Sequence, residues 1–179
     1  MKEMNIKDLN INPSDLIGNK WMLISAGNKA SYNTMTASWG EMGALWGHGL
    51  YGRPTFTIFV RPSRYTDKFI DESEYYTICF FDEKYRSDLA YLGSHSGRDE
   101  DKISKTNLSI DFIDDNPVFK EASLIFVCKK IYKGSIEEKG FIDKSIIDQF
   151  YKTNSEHIYN NNSFHHVYVG EIVKIFVKD

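Results

Sequence analysis

Only two cysteines occur in the 179 residues, Cys79 and Cys128, and no CxxC spacing offers a redox pair or a metal site. Each sits inside an apolar run, YYTICFF and LIFVCKK, and reads as a buried free thiol. No stretch approaches the ~18 consecutive apolar residues of a membrane-spanning helix. The opening residues MKEMNIKDLNINP lack the apolar centre of a secretory signal, so the expectation is a chain in the reducing cytoplasm. Charge of one sign is also missing. The 22 basic and 25 acidic residues are interspersed and leave a net charge of −3, which favours neither a nucleic-acid nor a membrane partner. The signatures GxSxG, HExxH and GxxxxGKS/T are absent, which removes support for hydrolase, zinc-protease and nucleotide triphosphatase readings.

What is present is aromatic and strand-like. Phe, Trp and Tyr make up 15% of the chain, and they concentrate in runs that suit a pleated, buried surface. The length fits one domain over residues 1–179. Residues 1–18, broken by Pro13 and Gly18, read as an arm packed on its edge. Strands are expected at 21–27, 33–39, 55–60, 75–81, 123–132 and 166–177. Short helices are expected at 67–73, with Ser63 or Thr66 as its cap, and at 83–92, ending at Gly93. A third is expected in FIDKSIIDQFY, where Phe141, Ile142, Ser145, Ile146, Gln149 and Phe150 share a face. This order does not repeat as βαβ units. It predicts a mostly antiparallel closed barrel with a few helices at its ends.

The stretch between Asn33 and Thr66 carries the chemistry. It opens with Asn33, Thr34, Met35, Thr36, Ala37, Ser38 and Trp39, in which small hydroxyls alternate with apolar residues on a strand. Such short polar groups and exposed backbone suit the edge of a flat heterocycle. The same pattern also describes the polar face of a half-exposed strand. The stretch closes with Arg61, Ser63, Arg64, Tyr65 and Thr66 after an apolar strand, where guanidinium and hydroxyl donors can converge on a phosphate beside a helix N-terminus. A ring and a phosphate together point to flavin mononucleotide (FMN). Between them lies a loop-like, glycine-rich span from Gly40 to Pro54 that includes Trp46, His48 and Tyr51. Trp39 and Trp46 read equally well as packed core aromatics. His165 and His166, adjacent on a strand, face opposite sides and have no further ligand at metal spacing, so no metal site is expected.

Three segments resemble the flavin reductase-like and flavoredoxin group of FMN-binding split-barrel proteins. NTMTASWG at 33–40 looks like the family's strand and turn against the isoalloxazine ring. VRPSRYTDKFI at 60–70 is similar to its Ser-Arg-x-Thr phosphate element, and HHVYVGEIVKIFV at 165–177 to its His-containing closing strand, with His165 on the motif histidine. SGRDEDK at 96–102 is similar to a fourth element that places Ser96 and Lys102 near the phosphate or ribityl chain. The resemblance implies a six-stranded Greek-key split β-barrel and a homodimer with FMN sites near the interface. It also implies non-covalent FMN, NAD(P)H as hydride donor to flavin N5, and no side chain needed as acid or base. Alternatives are a flavoredoxin-type carrier that exchanges electrons with a protein partner, or a flavin-binding module without turnover. The span 40–54 departs from the family's short linker, and its Trp46 and Tyr51, with Trp39 just before it, border the expected flavin face.

Overall fold

The computed structural model describes residues 1–48, 51–151 and 164–178, without the side chains of His48 and Tyr51. The strand β1 (Lys2–Glu3) and helix α1 (Pro13–Gly18) precede an antiparallel run of β2 (Met22–Asn28), β3 (Ser31–Ala37), β4 (Gly40–His48) and β5 (Tyr51–Val60). Helix α2 (Tyr65–Glu72), β6 (Tyr75–Phe80), helix α3 (Arg86–Ser94), β7 (Ile110–Ile113) and β8 (Asn116–Phe119) follow. The chain then continues through β9 (Leu124–Ser135), helix α4 (Ser145–Phe150) and β10 (His166–Val177). The main sheet has the order β3-β2-β6-β9-β10-β5-β4, with β1 paired to β10; β7 and β8 form a separate ribbon. All these pairings are antiparallel.

The central strands read as continuous apolar runs because both of their faces are buried. Alternate residues point to opposite sides of a strand. Met22, Ile24, Ile78, Phe80 and Phe126 therefore enter one core with Phe56 and Tyr168. Their neighbours Leu23, Cys79 and Ile125 enter a second core with Leu89, Leu92, Val118 and Phe119, under α3 and the β7–β8 ribbon. Cys128 belongs to the first core and Cys79 to the second. Both are free and buried, as expected, and burial pushes the Cys79 thiol up to about 12.

The sheet curls on itself. β3 and β4 stand at opposite ends of the strand order, yet only Ser38 and Trp39 join them. Three peptide steps reach about 11 Å at most. The two edges therefore converge at this point without pairing, which leaves a barrel with an open seam.

All six expected strands are present, and the structure adds four. β4 falls within the glycine-rich span, which is a hairpin strand rather than a wandering loop. Gly40 packs so closely that an added Cβ would stand 3.0 Å from Met22 Cε and 3.1 Å from Thr57 O. Gly49, Leu50, the Tyr51 side chain and the asparagine run 160–162 lie outside the described residues. The arm also differs from expectation. Pro13 starts α1 rather than breaking it, because proline suits the first helical turn. The Asn12 side chain caps that turn by accepting from Ser14 N and Asp15 N. In α4 the buried residue is Ile147, whereas Ile142 is fully exposed, so the helical face read from 141–150 is not the one that packs. Among the described residues no helix is long and apolar enough to cross a membrane.

Tyr76 marks the tightest packing. Its hydroxyl donates to Phe56 O, and a Cβ on Gly170 would stand 2.5 Å from the Tyr76 hydroxyl oxygen and 2.8 Å from Cys128 Cβ. Gly170→Ala must shift these groups and should destabilise the fold by about 1–3 kcal/mol, read as a lower urea midpoint.

Candidate functional site

Pro62 ends β5 because it has no N–H for the ladder. The chain turns there, with Arg64 N donating to Arg61 O at 2.9 Å, and enters α2. Neither expected cap residue caps this helix. Arg64 holds the cap position in an extended conformation without a side-chain bond. The Thr66 hydroxyl accepts instead from Asn33 Nδ2 at 2.9 Å, tying β3 to α2. Among the described residues the Ser63 hydroxyl is buried without a hydrogen-bond partner.

The segment after α3 forms the facing wall. A Cβ on Gly97 would overlap Asn33 Oδ1, so glycine is what lets this segment close on β3. Arg98 donates to Ser63 O at 3.1 Å, and its guanidinium lies 4.8 Å over the Tyr65 ring. Lys102 is 3% exposed, and its ammonium donates to Leu92 O at 2.8 Å and His95 O at 3.0 Å. It thereby closes the C-terminal end of α3. Burial, reinforced by the Arg64 charge and opposed by Glu100, lowers the Lys102 ammonium to about 8. These walls enclose a cavity of about 170 Å³ lined by Asn33, Ser63, Arg64, Tyr65, Thr66, Ser96, Arg98 and Lys102 among others, with Asp99 as its carboxylate.

A second cavity of about 290 Å³ adjoins it, and Met35 and Arg64 line both. Its other walls are Thr36, Ala37, Ser38, Trp39, Phe59, Arg61 and His165. The Thr36 hydroxyl donates to Leu89 O and so anchors β3 on α3. Arg61 donates to Phe150 O at 2.7 Å and lies 5.2 Å over the Tyr151 ring. His165 packs against Trp39, ring centroids 4.7 Å apart, and its Nδ1 is 2.8 Å from the Tyr151 hydroxyl. Burial and the Arg61 charge depress the imidazolium to about 4.

The structure thus brings fourteen of the fifteen sequence candidates to these two cavities. Thr34 is the exception. It is fully buried on the core side of β3, accepting from Ser25 Oγ at 2.9 Å and donating to Ile24 O at 3.2 Å. Trp46 is also away from both cavities, 58% exposed and 6.1 Å from Tyr132. Sequence reasoning missed Arg98, Gly97, Phe59 and Tyr151. Arg98 lay within a segment already singled out, as the basic residue two places after Ser96.

The donor set of the smaller cavity fits a phosphate. Two guanidinium groups and an ammonium surround it, the N-terminus of α2 faces it, and the orphaned Ser63 hydroxyl lacks the acceptor that a phosphate oxygen would supply. The larger cavity, walled by aromatics and small residues, has the chemistry for a flat ring.

A family model described as Flavin reductase like domain matches residues 16–179. Among solved structures, the FMN-binding domain of a flavin reductases-like enzyme from Shewanella baltica OS155 is 16% identical, with 98% of this chain and 76% of that chain covered and a TM-score of 0.66. Flavoredoxin from Desulfovibrio vulgaris (Miyazaki F) is 22% identical, covering 89% and 69%, with a TM-score of 0.62. An FMN-binding protein from Thermus thermophilus with bound p-hydroxybenzaldehyde is 14% identical, covering 100% and 83%, with a TM-score of 0.63. At these identities the likeness is one of fold, and that fold is the mostly antiparallel split barrel expected from the sequence. No curated protein matches the chain.

The low acidity range of His165 has a stability consequence. The unfolded imidazole binds a proton near 6.5 and the folded one only near 4. The unfolded state therefore holds more protons between these values, and stability falls as pH drops from about 6.5 to about 4. The slope from this group is at most about 1.4 kcal/mol per pH unit. His165→Asn should flatten the urea midpoint over that window.

Proposed function

The chain belongs to the flavin reductase like domain family, and from that premise we propose that it binds FMN non-covalently across the two cavities and acts as an NAD(P)H-dependent oxidoreductase. The observation that carries this reading is the unpartnered Ser63 hydroxyl among cationic donors. An unsatisfied buried hydroxyl costs stability, and it is retained where a ligand completes it. Bound FMN would supply the redox chemistry, taking a hydride at N5 from NADH or NADPH and passing the electrons on.

The protein's part is binding and orientation. Ser63, Arg64, Arg98 and the start of α2 hold the phosphate, Lys102 fixes the wall behind it, and Tyr65 supports Arg98. Met35, Thr36, Ala37, Ser38, Trp39, Arg61 and His165 frame the ring. Trp39, Ile146 and Phe150 remain more than a third exposed beside the ring half, and a second copy of the chain is the partner we assign to that surface, making a homodimer. Electrons then leave to a small acceptor or to a redox protein, and the two buried free thiols suit a cytoplasmic location.

Ser63→Ala separates ligand binding from folding. Removing an unpaired buried hydroxyl should leave the FMN-free protein as stable as before or up to about 2 kcal/mol more stable. FMN affinity should fall about ten- to a hundred-fold, because a hydrogen bond to a charged oxygen is lost. Riboflavin, which lacks the phosphate, should bind both forms equally. Urea unfolding reads the stability and flavin fluorescence titration the two affinities, and equal loss for riboflavin would refute the phosphate assignment. Bleaching of the yellow complex by NADH or NADPH supports the reductase, whereas bleaching only by dithionite or a reduced protein supports an electron carrier.

A further inference from the structure

The chain brings Tyr151 against His165, a wall residue of the ring cavity, and the two are 5% and 7% exposed. The Tyr151 hydroxyl lies 2.8 Å from His165 Nδ1. Arg61 fixes the Tyr151 ring from one side, with its guanidinium 5.2 Å above it, and Trp39 packs on the imidazole at 4.7 Å. Among the described residues neither the phenol oxygen nor the imidazole makes another hydrogen bond.

This geometry determines where the protons sit. A neutral imidazole carries one N–H and one bare nitrogen. If Nδ1–H donated to the phenol, the phenol proton would have no acceptor, and a buried donor without a partner is costly. If the phenol donates to Nδ1, the donor left over is instead the N–H on Nε2 of His165, a residue that lines the open ring cavity. The ring cavity is the open space His165 lines, and Nε2 is the ring nitrogen left for a ligand there.

We propose that Tyr151 is a positioning residue that locks His165 as the neutral Nε2–H form, and that this N–H donates to a carbonyl oxygen of the molecule in the ring cavity. The oxygen belongs either to the flavin ring or to the carboxamide of a nicotinamide lying over it. This second half rests on the flavin reading, whereas the tautomer does not.

The test begins with ligand-free protein labelled with nitrogen-15 histidine at pH 7, the His165 signals being assigned by their loss in His165→Gln. The expected spectrum has an unprotonated Nδ1 and a protonated Nε2, and Tyr151→Phe should move both toward a tautomer mixture. A protonated Nδ1 in the wild type, or identical shifts in Tyr151→Phe, overturns the proposal. The wild-type spectrum decides even if the variant folds poorly. Titration of Tyr151→Phe with FMN then distinguishes the oxygens. An affinity about two- to ten-fold weaker assigns the flavin carbonyl. A KM for NADH or NADPH raised by the same factor at unchanged FMN affinity assigns the carboxamide. If neither changes, the ligand half is wrong. If the wild type takes up no FMN, the flavin reading fails and takes that half with it, whereas the tautomer is still decided by the spectrum.

Discussion

The pairing of β10 with β5 is the constraint on which the site depends. His166 stands opposite Val60, so the residues just outside that pair, His165 and Arg61, meet at one wall of the ring cavity. On the other face, Asp67 of α2 accepts from Tyr168 Oη at 2.9 Å and lies 3.0 Å from His166 Nδ1. A strand and the helix that follows β5 are thereby locked to each other. The smaller cavity, at the start of α2, and the larger one, to which His165 contributes just before β10, are thereby held in one frame. A shift of one residue in the register would turn His165 and His166 to each other's faces and dissolve both halves together.

Much of this was legible in the chain. Strands with two buried faces announce themselves as apolar runs, and hydroxyls placed after a proline-terminated strand announce an anion site. What escaped the sequence has physical causes. β4 was hidden because its glycines, of which Gly40 packs closely on Met22 and Thr57 whereas Gly43 faces open space, carry the composition of a loop. Thr34 misled because a hydroxyl on a strand looks alike whether it faces a ligand or satisfies a neighbour such as Ser25 in the core. Arg98 and Tyr151 escaped because their roles arise from contacts with Ser63, 35 residues away, and His165, 14 residues away. No local pattern encodes those separations.

The phosphate half is also where the fold carries its local conflicts. It buries an ammonium whose neutral form is favoured by its surroundings, places it near a guanidinium, and leaves a hydroxyl unsatisfied. Each is unfavourable for a protein judged on folding alone, and a polyanion relieves them together. Lys102 adds a division of labour. By bonding Leu92 O and His95 O it gives most of its directional capacity to the wall and contributes mainly charge to the cavity.

The two-residue joint of Ser38 and Trp39 ties opposite margins of the curled sheet and also lines the ring cavity. Wall and fastening are therefore the same piece of chain. A molecule seated against this joint braces the barrel where it is otherwise unstitched. Conversely, whatever loosens the seam widens the berth for the ring. Closure of the barrel and the shape of that cavity thus depend on the same two residues.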